Sequence, residues 1–380
     1  MRVLMLADTS FATRERSLLA RLEIGLADEG VRVVRVTPIT PAPESLDNPY
    51  LRWLKFPEPK SALLAPLAAR AIEEDLKALR ELSPQDSEPI DLVHVMGDQA
   101  WATGNRLAHS LKAGLAHEVC TETVLQRSVS LARSLKSKDD ETRRRVCFLC
   151  PDEGVEQRLA TAAPWTNRRL AMWGVHSSAD HIRWPRRAGA LSVLMLGTGN
   201  DLPSCRLALD GLARLRKAAP NLLVFLDAAL VRSSSALWKH AERLKMLDIL
   251  SVIDDTESRR ELSLQVDAML VPERLPEHRT ILLDAMAHGS IVLAREGCPM
   301  TALRANETAI IIERGDADEW ERSLHGLIIE PKKTEALAHQ AASFVREHRL
   351  ASAHVRGALG AYESIAGAAP MSFATGSRVG

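Results

Sequence analysis

The sequence predicts an α/β protein of two similar halves, each an open parallel sheet wrapped by helices. Short apolar runs rich in β-branched residues alternate with helical stretches along almost the whole chain, the pattern of strand–helix–strand units. The alternation pauses at residues 177–190 and then restarts. A length of 380 residues allows two or three domains at about 150 residues each.

The first half opens with Val3 to Ala7, short and apolar enough for a buried strand. A helix is predicted from Thr13 to Asp28, closed by Gly30. Val31 to Val36 is a second strand, and Pro38 to Lys60, with six prolines, reads as an extended loop rather than core. Ser61 to Leu82 is Ala-rich and helical, Asp91 to Met96 a strand, and Gln99 to Ala113 a helix. Shorter strands are expected near Glu118–Thr121, Val146–Leu149 and Arg169–Trp173.

The second half begins at strand Leu191–Leu196 and helix Ser204–Ala218. Strands follow at 222–226, 249–253, 266–271, 291–294 and 309–312, with helices at 235–245 and 279–287. Three helices end the chain, at 316–327, 334–347 and 351–365, before a small, polar tail expected to fray. The expected domains are 1–180 and 181–350, then the last helix at 351–367 and a flexible tail at 368–380. Ligands of open parallel sheets sit beyond the carboxyl ends of the strands, so the site is expected in a cleft between the two halves.

Composition narrows the function. Forty-nine basic residues balance 49 acidic ones, which excludes a general nucleic-acid binder, since that affinity comes from Lys and Arg on phosphates. With 46 % hydrophobic residues the chain has a core to bury and is not disordered. Five cysteines in 380 residues do not make a disulfide scaffold. No leader and no run of about 20 apolar residues is present, so a cytoplasmic protein without a transmembrane segment is expected. Local patches leave peripheral contact with a membrane open.

Gly197-Thr198-Gly199 follows a strand and precedes a helix. Such a loop lets backbone approach a phosphate at a helix N-terminus. A dinucleotide fingerprint would need a third Gly at position 202, which is Leu202, so a plain turn or a loop lining a cleft is the alternative. The sharper segment runs from Val271 to Ala294: a strand, the polar loop Pro272-Glu273-Arg274-Leu275-Pro276-Glu277-His278-Arg279, a helix carrying Asp284, then Gly289 and a strand.

This segment, with Ala285-Met286-Ala287-His288-Gly289-Ser290-Ile291-Val292-Leu293-Ala294, resembles the C-terminal domain of group 1 (family 4) glycosyltransferases. Gly315-Asp316, Met172-Trp173-Gly174-Val175-His176 and Asp91-Leu92-Val93-His94-Val95 are similar to further landmarks of that family. The resemblance implies the GT-B fold: two Rossmann-like domains facing across a cleft, an acceptor domain first and a donor domain second, with the C-terminal helix returning to the N-terminal domain. It implies transfer of a sugar, of hexosyl type, from a nucleotide-sugar to an acceptor whose identity is open, with no metal and no other cofactor. Asp284 stands where the family holds the donor's ribose hydroxyls.

The departures are equally specific. The family's first signature Glu falls on Pro276, leaving Glu277 or Glu273 to take over its role, and Ile291 replaces a Pro. The family's diphosphate-binding Arg falls on Thr198 with no Lys nearby, so Arg206, Arg279 and the Gly197-Thr198-Gly199 loop are the candidates for the donor diphosphate. Asp227-Ala228-Ala229 replaces a Gly-x-Gly, and Asp8 to Thr13 carries no glycine pair. A catalytically inactive binding or scaffolding protein of the same fold would show such losses and is the alternative.

Other signals are weaker. His94 and His176, near strand ends of the first half, are candidates for acceptor chemistry, His94 being the catalytic candidate. His278 and Arg279 begin a helix and could meet an anion. Cys147 and Cys150 lack a second pair for zinc and read as core cysteines. Arg143-Arg144-Arg145 reads as a solvated face or a contact for an anionic lipid or carrier. Trp165, Trp173 and Trp184 are expected to pack near the domain junction.

Overall fold

The structure, a computed structural model, describes residues 1–39, 48–82, 86–138, 140–176, 190–232, 235–253, 261–274 and 277–366. The chain divides into two compact units, one made of Met1–Met172 with the segment from His354 onward, the other of Trp173–Ala353. The interruption at 177–189, Trp184 within it, and the tail from residue 367 lie outside the described residues, as does the expected boundary at 180.

The first unit runs β1 (Arg2–Ala7), α1 (Thr9–Arg14), α2 (Arg16–Asp28), β2 (Arg32–Thr37), β3 (Leu51–Lys55), α3 (Ala65–Leu82), β4 (Leu92–Met96), α4 (Ala100–Ser110), β5 (Gly114–Glu118), α5 (Glu122–Leu135), α6 (Asp140–Arg144), β6 (Val146–Cys150), α7 (Glu153–Ala162) and β7 (Arg168–Leu170). The sheet order is β3-β2-β1-β4-β5-β6-β7, and every pairing is parallel. Strands β1 and β4 are buried along their whole length, which is why they read as unbroken apolar runs rather than alternating ones.

Three expectations needed correction here. The proline-rich stretch contains strand β3, an edge strand paired with β2 from Val33 opposite Leu51 to Thr37 opposite Lys55. Pro49 and Pro57 lie outside it, where a missing N–H costs no ladder bond, and Leu51, Leu54 and Phe56 are buried. The strand expected near Glu118–Thr121 lies four residues earlier, because Thr121 instead caps α5, its hydroxyl accepting from Val124 N at 3.1 Å. The first helix starts earlier than its apolar pattern, at Thr9, because the Asp8 side chain accepts from Phe11 N at 2.8 Å.

The second unit runs β8 (Ala190–Met195), α8 (Leu202–Leu215), β9 (Asn221–Asp227), α9 (Ala228–Arg232), α10 (Ala236–Arg243), β10 (Leu250–Ile253), β11 (Ala268–Val271), α11 (Thr280–Ala287), β12 (Ile291–Arg295), β13 (Ile310–Ile312), α12 (Ala317–Ile329) and α13 (Pro331–His348). The order is β10-β9-β8-β11-β12-β13, again parallel throughout. One face of the sheet packs Leu209, Leu212 and Trp320 of α8 and α12. The other packs Leu282, Leu283 and Met286 of α11 and Val345 of α13. The last described element is α14 (Ala351–Ala366), which packs in the first unit through Tyr362 against His94.

In each sheet the first strand lies inside, and the order reverses beside it, between β1 and β4 and between β8 and β11. The loops leaving those two strands diverge to opposite faces, which opens a crevice at the carboxyl edge. Among the described residues no helix is long and apolar enough to cross a membrane.

Candidate functional site

In the second unit the loops after β8 and β11 meet at the reversal point. Glu273, two residues past β11, is 2 % exposed. Its Oε2 accepts from Thr198 N at 2.6 Å and from the Thr198 hydroxyl at 2.8 Å. Its Oε1 accepts from Gly199 N at 2.9 Å, from Asp201 N at 3.1 Å and from the Cys205 thiol at 3.5 Å. Backbone N–H groups gathered before a helix form an anion-binding concavity, and here the anion is the chain's own carboxylate. Gly197 suits that packing, since a Cβ there would push aside the end of the Leu230 side chain and sit 3.1 Å from the Glu273 carboxylate. Burial, and then the neighbouring Glu273, push the Cys205 thiol far up, so it stays protonated.

Asp201 caps α8, accepting from Ser204 N at 3.2 Å and from the Ser204 hydroxyl at 2.6 Å. Arg295, at the end of β12, pairs with Asp201 at 3.3 Å and also reaches the Ser204 hydroxyl. The start of α8 therefore already holds two carboxylates and one guanidinium. Asp227, at the end of β9, is 2 % exposed and accepts from Ala229 N at 3.1 Å.

The loop before α11 carries the remaining candidates. Arg279 donates to Glu277 Oε1 through Nε at 3.0 Å and Nη2 at 2.6 Å. Both side chains are nearly buried, so the pair is charge-assisted and largely desolvated. His278 packs edge-on to Trp173, their ring centres 6.2 Å apart. Asp284 lies one turn into α11 and is 3 % exposed. Arg206, on α8, is half-buried. Among the described residues it has no ion-pair partner, and its Nε is buried without a hydrogen bond. Leu275 and Pro276 lie outside the described residues.

The first unit treats its candidates differently. His94, in β4, has no exposure. Its Nε2 is 3.0 Å from Glu118 and its Nδ1 is 2.8 Å from the Tyr362 hydroxyl. A carboxylate only accepts, so Nε2 carries the proton and Nδ1 accepts from Tyr362. His354 of α14 approaches the other Glu118 oxygen at 3.4 Å. Burial alone would raise the Glu118 carboxyl, but His354 and then His94 outweigh it and hold it at about 2. Burial lowers His94, and the bond to Glu118 opposes that. This network ties α14 to β4 and β5.

Asp8 stands at the reversal point of the first sheet. It accepts from Phe11 N and from Gln99 N, each at 2.8 Å, and so joins the loops after β1 and β4. Burial raises its carboxyl, and those two bonds oppose the rise. Gly97, at φ +95°, leaves room for it. His117 stacks on Trp101 with ring centres 3.7 Å apart, and burial lowers it to about 3.

His176 is exposed. Cys147 and Cys150 are fully buried, and burial lifts the Cys147 thiol to about 12. Trp165 packs in the first unit, donating to Ala132 O at 3.1 Å with Lys136 over its ring. In the basic run, Arg143 pairs with Asp140 and Arg145 donates to Lys112 O at 2.7 Å.

Sequence reasoning did not single out Glu118, His354, Tyr362 or the bridging role of Asp8. A charged residue ending the buried strand β5 was the available signal for Glu118. Its partner His354 comes from a helix more than 230 residues away in the chain, as does Tyr362, the partner of His94, and no local pattern records either.

No family model and no curated protein matches the chain. Solved structures do. A glycosyltransferase from Rickettsia africae ESF-5 superposes with a TM-score of 0.70 at 13 % identity, covering 96 % of this chain and 98 % of that one. Sucrose-phosphate synthase from Thermosynechococcus elongatus gives 0.69 at 15 % identity, covering 97 % and 100 %. Anabaena HepE, in complex with UDP and glucose, gives 0.68 at 15 % identity, covering 96 % and 100 %. At such identities the likeness speaks for the fold alone. With two parallel sheets, each with the strand order found here, the chain has the two-domain α/β fold of the GT-B glycosyltransferases.

Proposed function

We propose that the chain is a glycosyltransferase that takes a nucleotide-sugar in its second unit and an acceptor in its first. The observation that supports this is the fold likeness to glycosyltransferases over nearly the whole chain, including one holding UDP and glucose. In this reading Asp284 accepts hydrogen bonds from the ribose hydroxyls. A departing diphosphate needs positive charge that strengthens as its own charge develops. Arg206, the half-buried cation on α8, supplies it, with Arg279 beside α11. Glu277 takes the place of the carboxylate lost at Pro276, since Glu273 is already committed to the loop after β8.

A second reading is favoured by two specific observations. Glu273 fills that loop, and Glu277 neutralises Arg279. A binding or scaffolding protein of this fold without catalysis would carry such internal pairings. Calorimetry with UDP-, GDP- and ADP-sugars separates the two. The transferase reading expects one of them to bind at about millimolar concentration or better, and Asp284→Ala to abolish that binding. If none binds at that concentration, the transferase reading fails.

A further inference from the structure

We infer that Glu273 sets what the crevice of the second unit accepts. Its carboxylate is a built-in anion, so the loop after β8 takes no phosphate from a ligand, and a diphosphate in this unit must lie outside that loop. The inference rests on the donor-site reading for which ligand is meant; the exclusion of phosphate stands apart from it.

The site is where an open parallel sheet of this order binds ligands, the point where β8 and β11 part. Three backbone N–H groups and a hydroxyl on the β8 side all point to one carboxylate from the β11 side, which is 2 % exposed. Those donors are spent, because each N–H donates once. A phosphate arriving at them would meet a full negative charge at contact distance in a poorly solvated place. To take the seat it would have to strand Glu273 as a buried, unpaired charge, which costs more than the seat returns. At the helix start itself Arg295 is already paired with Asp201 and Ser204, and Arg206, further along α8, is left for a diphosphate that lies outside the loop. The first unit repeats the arrangement independently. At its own reversal point Asp8 accepts from Phe11 N and Gln99 N, and so closes the loops after β1 and β4 with a carboxylate. An acid bridging the crevice in both halves is a feature of this chain rather than an accident of one loop.

The test uses inorganic pyrophosphate, which carries the charge without sugar or base. The full chain, Glu273→Ala and Glu273→Gln are compared by calorimetry and by the amide signals of Thr198, Gly199 and Asp201. The wild type is expected to keep the three amides unmoved up to about 10 mM, whatever pyrophosphate meets Arg206 or Arg279, and Glu273→Ala to bind it at the loop at least about tenfold more tightly, shifting all three. If Glu273→Ala does not fold, as read by circular dichroism, Glu273→Gln keeps the volume without the charge and is expected to gain at least about threefold. Wild-type amides that shift saturably, with an affinity within about twofold of the folded variants, overturn the inference. So does a folded variant that gains nothing. Titration with UDP-glucose separates this from the transferase reading. A pyrophosphate gain with no nucleotide-sugar binding removes that reading and leaves the role of Glu273 intact. Nucleotide-sugar binding to wild type that moves the three amides does the reverse.

Discussion

Replacing Glu118 by glutamine removes the charge on which the link between α14 and the first sheet is built. The carboxylate is held from the ordinary 4.5 down to about 2, against burial, by His354 and His94. That difference corresponds to about 3 kcal/mol at about 1.4 kcal/mol per pH unit. The sign follows from the direction. A carboxyl depressed in the folded state adds stability that is complete above its unfolded value and is lost as pH falls through the folded one. Glu118→Gln is therefore expected to cost about 3 kcal/mol at pH 7 and the same at about pH 5. The cost should shrink below about pH 4.5 and vanish near pH 2. Urea unfolding followed by tryptophan fluorescence reads the total across pH. Hydrogen exchange of residues 351–366 locates the loss, since Tyr362 and His354 lie in that helix. A cost below about 1 kcal/mol at pH 7, or one that does not change between pH 7 and pH 3, rules out the Glu118 charge as the source of that stability.

Two further outcomes follow from the packing. Cys298 is the half-buried cysteine, and Cys120, Cys147, Cys150 and Cys205 are buried. A thiol reagent at pH 8 should thus modify one cysteine within minutes and the other four only in denaturant, and rapid labelling of Cys147 or Cys150 contradicts the burial. Gly97→Ala places a methyl on the Asp8 carboxylate at φ +95° and should cost about 2–4 kcal/mol. Gly326→Ala, in α12 with open space around it, should instead stabilise by about 0.5–1 kcal/mol. Equal effects in a thermal-shift comparison count against the geometry at Asp8.

The fold was legible in the sequence because both sheets are parallel and their inner strands, β1, β4 and β11 among them, are buried along their whole length. Runs such as Val3–Ala7 and Leu191–Leu196 have no other reading. The misreadings fell at edges and caps. Strand β3 is a half-buried edge flanked by prolines, and α1 and α5 begin at polar caps that precede any apolar period. Of the candidate site, the residues were legible but their partners were not. Glu273 could be named as a carboxylate near the signature, yet its seat on Thr198, Gly199 and Asp201 lies more than 70 residues away in the chain. Likewise His94 reads as a strand-end histidine, and only α14 shows that both of its nitrogens are engaged.

The most direct test is a crystal structure of the full chain grown with the nucleotide-sugar that calorimetry selects. The nucleotide is expected in the second unit, its ribose hydroxyls on Asp284, with Glu273 still bonded to Thr198 and Gly199. A crystal saturated with that ligand whose second unit stays empty, or whose nucleotide lies away from Asp284, contradicts that placement.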